Sequence, residues 1–260
     1  MRLHRRRGNG VSREGRESMA FPHIRIVLVG TTHPGNIGAA ARAMKNMYLS
    51  RLYLVDPQRF PDAEATSRAS GADDVLAGAS VCSSLEQALS GCSLVIGASA
   101  RLRTIAWPQA GAREGARLAV DEARRGGEVA LVFGREHSGL TNEELERCNY
   151  LMHIPANPEY SSLNLAAAVQ VAAYEVMMAD ASDDQAPTEE EEPPATADEL
   201  HHFYGHLERA LVDIGFLDPA NPRLLMRRLR RLFNRVRLEK TEVNILRGIL
   251  TEAQKRARRC

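Results

Sequence analysis

Five short apolar runs, rich in Val, Ile and Leu, mark the first two thirds of the chain. None of them alternates apolar with polar residues, which is typical of strands buried on both faces of a parallel sheet. The runs occupy residues 24–30, 52–56, 93–98, 129–134 and 150–155. This feature limits the fold more than any other, because such strands need a layer of helices on each face.

Helical patterns separate most of these runs. Helices are predicted over residues 36–48 and 112–125, and a shorter one begins at Thr141, where Glu144 completes a capping box. The last pattern, over 162–179, is Ala-rich and apolar almost all round. We expect that helix to be buried, either in the core or at a subunit interface. The alternation predicts an α/β domain with a parallel sheet over residues 21–179.

Both ends of the chain differ from this domain. The first eighteen residues are Arg-rich and lack the apolar segment of a secretory signal, so we expect residues 1–20 to form a disordered leader. Residues 180–198 are acidic and Pro-bearing, which predicts a solvated linker. Residues 199–260 carry 14 Lys/Arg against 7 Asp/Glu. Because this excess is local, it predicts a small basic helical extension.

The basic extension contains an amphipathic pattern with two opposite faces. The apolar face comprises Leu225, Leu229, Leu232, Phe233 and Val236. The basic face comprises Arg227, Arg230, Arg231 and Arg235. Such a face is either a solvated surface or a phosphate-binding one, and the density of arginines favours RNA binding.

The cysteines do not indicate a metal site or a disulfide framework. The chain has Cys82, Cys92, Cys148 and Cys260, without a CxxC pair or a His cluster at ligand spacing. We therefore expect reduced thiols in a cytoplasmic protein and no metal requirement for folding. No apolar run approaches the roughly 18 residues of a membrane span.

The first strand leads into a glycine-bearing turn that only superficially resembles a dinucleotide fingerprint. Gly35 and Gly38 precede a helix, but His33 stands where the first tight turn would need glycine, which disfavours a nicotinamide enzyme. The helix N-terminus and Arg42 together could instead seat a nucleic-acid phosphate. Further loops at strand ends, over 97–101, 134–139 and 155–164, could admit a ligand close to the backbone.

Three segments carry a resemblance to a known family. NIGAAAR at 36–42, LVFGRE at 131–136 and IPANPEYSSLNLAAAVQV at 154–171 look, in order and spacing, like the motifs of the SpoU branch of the SPOUT RNA ribose 2'-O-methyltransferases. The similarity spans residues 24–179. The tail, with LRRLF at 229–233 and NILRGIL at 244–250, resembles the extension of family members that methylate nucleotide 32 of the tRNA anticodon loop.

The resemblance implies a C-terminal trefoil knot, S-adenosyl-L-methionine as cofactor, tRNA as substrate and a homodimer that builds each active site from two chains. By position, the residues implied to line the cofactor pocket are Ala98, Ser99, Ala100, Gly134, Ile154, Ser161, Ser162 and Leu163. The implied catalytic residue is Arg42, surrounded by Asn36, Glu136, Ser162 and Asn164.

The motifs contain no obvious general base. A guanidinium group has a pKa above about 12, so we expect Arg42 to grip the phosphate beside the target ribose, and a phosphate oxygen or water to accept the proton. Taken without the resemblance, Asn36 would be a turn residue and Ser162 a helix N-cap. Two alternatives remain: a methyltransferase of another tRNA site or of rRNA, and a non-catalytic RNA-binding protein.

Overall fold

The computed structural model describes residues 21–99, 107–182 and 193–257. The expected leader, residues 1–20, therefore lies outside the described residues. So do Ala100, Cys260 and most of the expected acidic linker.

The fold is built on a sheet of seven parallel strands in the order β3-β2-β1-β6-β4-β7-β5. The strands are β1 (Ile24–Val29), β2 (Arg51–Val55), β3 (Ser80–Cys82), β4 (Cys92–Ala98), β5 (Gln109–Gly111), β6 (Glu128–Phe133) and β7 (Tyr150–His153). All five predicted strands are confirmed. The sequence reading missed β3 and β5, which have three residues each and lie at the two edges.

Helices cover both faces of the sheet, as strands buried on both sides require. They are α1 (Pro34–Asn46), α2 (Ala63–Ala69), α3 (Asp73–Ala77), α4 (Leu85–Leu89), α5 (Ala112–Arg124), α6 (Asn142–Leu145) and α7 (Leu165–Ser182). Side chains of β1 alternate between two cores: Ile26 and Leu28 pack with α1, α5 and α7, while Val27 and Val29 pack with α4 and α6. The capping box predicted at Thr141 and Glu144 is present.

The long apolar helix begins later than its pattern suggested. Asn164, and not Ser162, caps α7: its Oδ1 accepts hydrogen bonds from the backbone N–H of Ala166 at 2.9 Å and of Ala167 at 3.4 Å. The helix then continues to Ser182, into the expected linker. Much of it is buried against α1 and α5, but Tyr174 and Met178 are 45% and 42% exposed. The helix is therefore a core element with one open apolar stripe.

The C-terminal extension forms its own small core from α8 (Ala197–Asp213), α9 (Leu225–Val236) and α10 (Lys240–Ala257). It begins earlier than predicted. The side chain of Ala195 is buried in this core, and its N–H bonds to the Leu238 carbonyl. The end of the expected linker thus belongs to the extension. Helix α8 packs against α4 and β4 of the sheet domain.

Within the described ranges, three cysteines are free and buried, namely Cys82, Cys92 and Cys148. No group of His, Cys, Asp or Glu side chains in those ranges is placed to hold a metal ion. Among the same residues, no helix has both the length and the apolar character that a bilayer crossing requires. The trefoil knot implied by the resemblance stays a prediction.

Candidate active site

A cavity of about 270 Å³ opens where β4, β6 and β7 end. Its walls include all the described residues that the resemblance assigns to a cofactor pocket: Ala98, Ser99, Gly134, Ile154, Ser161, Ser162 and Leu163. The eighth assigned residue, Ala100, lies outside the described residues. The carboxyl ends of neighbouring parallel strands meet at one edge of a sheet, which explains how segments distant in sequence converge here.

Gly134 allows the wall of the cavity to close. A Cβ atom on this residue would lie 2.2 Å from the carbonyl carbon of Gly139, so the loop after β6 could not fold back over a larger side chain. Arg135 and Gly139 then exchange backbone hydrogen bonds across the loop. This tight turn presents Glu136 towards the start of α1.

The carboxylate of Glu136 ties two of the family-like segments together. It accepts hydrogen bonds from Thr32 Oγ1 at 2.9 Å, from Asn36 Nδ2 at 2.9 Å and from the backbone N–H groups of Thr32 and His33. Partial burial alone would raise the pKa of Glu136, but these bonds outweigh it and hold the pKa at about 2. An ionised carboxylate with this many donors is a structural anchor and a poor proton acceptor near neutral pH.

Asn36 extends the network to the third segment. Its Oδ1 accepts a hydrogen bond from Asn164 Nδ2 at 3.0 Å, while Asn164 Oδ1 caps α7. The two amides are thereby fixed in orientation, and the start of α1 is held against the start of α7. The structure thus brings Asn36, Glu136 and Asn164 together, with Ser162 nearby on the cavity wall.

Most of the donors expected to seat an external phosphate at the start of α1 are already used within the protein. Pro34 has no N–H, the N–H of Asn36 bonds to the His33 carbonyl, and the amides of Thr32 and His33 bond to Glu136. The anion at this helix end is the protein's own carboxylate. Sequence reasoning missed Thr32 and His33 because their contribution is made mainly by the backbone, which side-chain patterns do not reveal.

Arg42 stands apart from this network in the single chain. It is exposed on α1 and does not line the cavity. Six residues of helix place it about 9 Å along the axis and roughly 120° around it from Asn36. Within the described residues its guanidinium group makes no hydrogen bond or ion pair.

The predicted basic face of α9 is divided by the fold. Arg227 Nε and Arg230 Nη1 donate to the carboxylate of Glu146 at 2.5 and 2.7 Å, so these two arginines face the sheet domain. The guanidinium groups of Arg228, Arg231 and Arg235 form no hydrogen bond or ion pair with any described residue, and Nε of Arg231 is buried. The predicted apolar face is also partly open, since Leu232 and Val236 are 44% and 56% exposed.

Comparisons with known proteins show the family of the chain. Residues 23–174 match the SpoU rRNA methylase family, and residues 198–260 match the C-terminal domain of the tRNA methyltransferase TrmJ. A curated relative from Pseudomonas aeruginosa, tRNA (cytidine/uridine/adenosine-2'-O-)-methyltransferase TrmJ, is 59% identical over 90% of this chain and 95% of its own. The corresponding protein of Pectobacterium atrosepticum, tRNA (cytidine/uridine-2'-O-)-methyltransferase TrmJ, is 54% identical over 90% of this chain and 97% of its own.

A solved structure is similar along nearly the whole chain. The crystal structure of TrmJ from Z. mobilis ZM4 superposes with a TM-score of 0.76 at 34% identity, covering 88% of this chain and 97% of its own. The family match includes all three motif segments that form the network and the cavity. On its sequence, its sheet and its site, the chain belongs to the SpoU methylase family.

Proposed function

We propose that the protein transfers a methyl group from S-adenosyl-L-methionine to the ribose 2'-oxygen of nucleotide 32, a cytidine or uridine, in the anticodon loop of tRNA. One observation carries the proposal. Asn36, Glu136 and Asn164, from three separate segments, form one hydrogen-bonded network beside a cavity lined by the expected cofactor residues. The full-length similarity to tRNA 2'-O-methyltransferases supports the choice of substrate.

The cavity suits the proposed cofactor. Its volume is close to the roughly 300 Å³ at which small-ligand pockets begin. Leu140, Met152, Ile154 and Leu165 provide apolar walls, and the Ser161 and Ser162 hydroxyls provide polar ones. S-adenosyl-L-methionine, when bound, supplies a methyl group already activated by the positive charge on its sulfur.

The chain's own residues would orient the target. Glu136 holds Asn36, and Asn36 holds Asn164, so the amide edge of this network is preorganised at the cavity mouth. Since Glu136 stays ionised and saturated with donors, the 2'-hydroxyl proton passes to a phosphate oxygen or to water. Arg42 would grip the phosphate next to the target ribose.

In this proposal Arg42 acts in a dimer, at the site of a second copy. The open stripe of α7 supports this arrangement. Ala167, Tyr174 and Met178 lie within about 40° of one another around the helix and are all exposed. An apolar stripe of this kind is costly to leave in water, and a second copy of the chain would cover it.

The alternatives differ in substrate and in class. The family description names rRNA, but the match of the extension to the TrmJ C-terminal domain favours tRNA. A non-catalytic RNA-binding protein would have no need of the cavity and the network beside it. We place the reaction in the cytoplasm, where tRNA is modified.

The decisive test is methyl transfer from labelled S-adenosyl-L-methionine by the purified protein, followed by mapping of 2'-O-methyl sites in total tRNA. We expect one new site at nucleotide 32. A tRNA with a 2'-deoxyribose at that position should receive no label. Modification elsewhere in tRNA, or only in rRNA, would support the second enzyme; no transfer despite RNA binding would support the non-catalytic protein.

A further inference from the structure

The extension forms hydrogen bonds with the sheet domain at Glu146 and Cys148, just before β7 begins at Tyr150. Asn234 of α9 is only 3% exposed, and its Nδ2 donates to the carbonyl oxygens of Glu146 at 3.0 Å and of Cys148 at 3.3 Å. Its Oδ1 accepts a hydrogen bond from Tyr204 of α8 at 2.6 Å. The Oδ1 of Asn234 is therefore bonded within the extension, and its Nδ2 donates to two backbone carbonyls of the sheet domain.

The Cys148 carbonyl has a second donor, which belongs to the sheet domain. Trp107 Nε1 bonds to the same oxygen at 2.8 Å, and Trp107 is 7% exposed. Trp107 follows the segment that leaves β4 at the cavity. The extension and this segment thus share one buried acceptor.

The segment after β4 is fastened to β7 at both of its described ends. Ser99, on the cavity wall, donates its N–H to the Met152 carbonyl at 3.0 Å, and the Pro108 carbonyl accepts from the N–H of Leu151 at 2.8 Å. Met152 also lines the cavity. A small shift of the chain at Cys148 would therefore move β7, which carries Met152 of the cavity wall. It would also move Trp107, which bonds to the Cys148 carbonyl.

The contact between the domains favours one geometry. Glu146, whose side chain is 8% exposed, pairs with Arg227 and Arg230. On α5, Glu122, with a side chain 3% exposed, pairs with Arg237 at 2.7 Å. Breaking a buried pair of this kind leaves an uncompensated charge, so sliding of one domain over the other is strongly opposed. A buried carbonyl that loses a donor is likewise penalised.

We propose that Asn234 is a positioning residue that couples the RNA-binding extension to the cofactor cavity, through the Cys148 carbonyl and Trp107. The identities of the two ligands rest on the proposed function. RNA held by the extension shifts the chain at Cys148, and the cavity wall at Ser99 and Met152 responds. Coupling of this kind is reciprocal: each ligand changes the affinity of the other by the same factor.

The measurement is the Kd of S-adenosylhomocysteine, the unreactive product, with and without saturating tRNA, by calorimetry on the full-length protein. We expect tRNA to change this Kd by about fivefold or more in the wild type. Asn234→Leu keeps the approximate volume, removes both donors and should reduce the change to less than twofold. Asn244→Leu, the same replacement at an exposed position of α10, is the matched control, and its coupling should stay near that of the wild type.

Trp107 gives an independent readout, since it is the only tryptophan in the sequence. Asn234→Leu should alter the emission of Trp107 in the protein without ligands, and Asn244→Leu should leave it nearly unchanged. Trp107→Phe removes the other donor to the same carbonyl and keeps an aromatic ring in the core, and it should also abolish the coupling. This second variant keeps the test valid if Asn234→Leu folds poorly.

Wild-type-like coupling in Asn234→Leu or in Trp107→Phe would overturn the proposal, and so would an equal loss in Asn244→Leu. The absence of any effect of bound tRNA on the Kd in the wild type would also overturn it. Methyl transfer by the same wild-type preparation tests the proposed function separately, because an active enzyme without coupling contradicts only this inference.

Discussion

At the scale of single residues, Glu136 shows how a titratable group can serve a site without taking part in proton transfer. Its pKa is held at about 2 by donors from two segments of the chain, below the ordinary 4.5. A carboxylate whose folded-state pKa is depressed contributes stability above its unfolded pKa. That contribution is lost as the pH falls from about 4.5 towards 2.

We therefore predict that Glu136→Gln lowers stability at pH 7 and has a much smaller effect at pH 2.5. Urea unfolding of both proteins at the two pH values measures this difference. Glu114→Gln, an exposed charge change on α5, is the control and should shift stability little at either pH. An equal loss at both pH values would show that the carboxylate charge is not what ties the two loops together.

Arg42→Ala should abolish methyl transfer while S-adenosyl-L-methionine affinity stays nearly intact. The reason is its position: Arg42 is exposed on α1 and outside the cavity of its own chain. Calorimetry on the variant and on Arg42→Lys checks the binding, and a labelled-methyl assay checks the rate. A loss of cofactor affinity beyond about tenfold, or 1.4 kcal/mol, would contradict this assignment.

The sequence motifs predicted many of the residues that line the cavity, but few of the hydrogen bonds beside it. Ser99, Gly134 and Ile154 could be placed by resemblance and do line the cavity. The sequence offered no means to see that Glu136 faces backbone amides, because amide direction depends on the three-dimensional path of a loop. Asn164 was assigned to the site, yet its role as the cap of α7 appeared only with the helix boundary.

At the scale of elements, α9 departs most from its sequence pattern. Two faces were predicted, but the helix has three: one contacts the sheet domain, one packs in the core of the extension and one is exposed. Arg227, Arg230 and Asn234, within about 60° of arc, face the sheet domain. Met226, Leu229 and Phe233 pack in the extension's own core. The remaining arc, with Leu232 and Val236, stays open. An amphipathic pattern cannot distinguish solvent from a polar domain contact, since both favour arginine.

The arginines left free on α9 should be the ones that bind RNA. Replacing Arg228, Arg231 and Arg235 together by alanine should weaken tRNA binding and flatten its log-log salt dependence by about one unit per lost phosphate contact. Fluorescence anisotropy across a salt series gives both quantities. Arg227→Ala is the contrasting variant: it should lower the melting temperature, because Glu146 loses a buried partner. Unchanged salt slopes in the triple variant would instead indicate a merely solvated face.

The elements that the sequence analysis missed are all short. β3 and β5 have three residues each, α3 and α4 have five each and α2 has seven, too few to establish a period. They lie at the edges of the sheet or between strands, where the tertiary fold decides their conformation. The strands β1, β4 and β6, which are longer and buried on both faces, were predictable because their composition alone identifies that environment.

At the scale of the whole molecule, we predict a homodimer through the open stripe of α7. Sedimentation at micromolar concentration should give twice the mass of the chain. Tyr174→Glu combined with Met178→Glu should shift the protein towards monomer and reduce methyl transfer, because the site would lose the partner's Arg42. Ile249→Glu, at a side chain 60% exposed on the extension, is the matched control and should remain dimeric. A monomeric wild type would exclude an active site shared between chains.

The position of the extension at the start of β7 also sets a length scale for substrates. Four residues of β7, at about 3.3 Å each, separate Cys148 and Asn149 from the loop that enters the cavity. An RNA that engages both the cavity and the arginines of α9 on the same chain must bridge at least roughly this 13 Å, in addition to the reach of the side chains. At about 3.4 Å per stacked nucleotide, this span corresponds to roughly four nucleotides. A substrate that reaches both places therefore needs a continuous stretch of at least that length, and a single nucleoside cannot contact both.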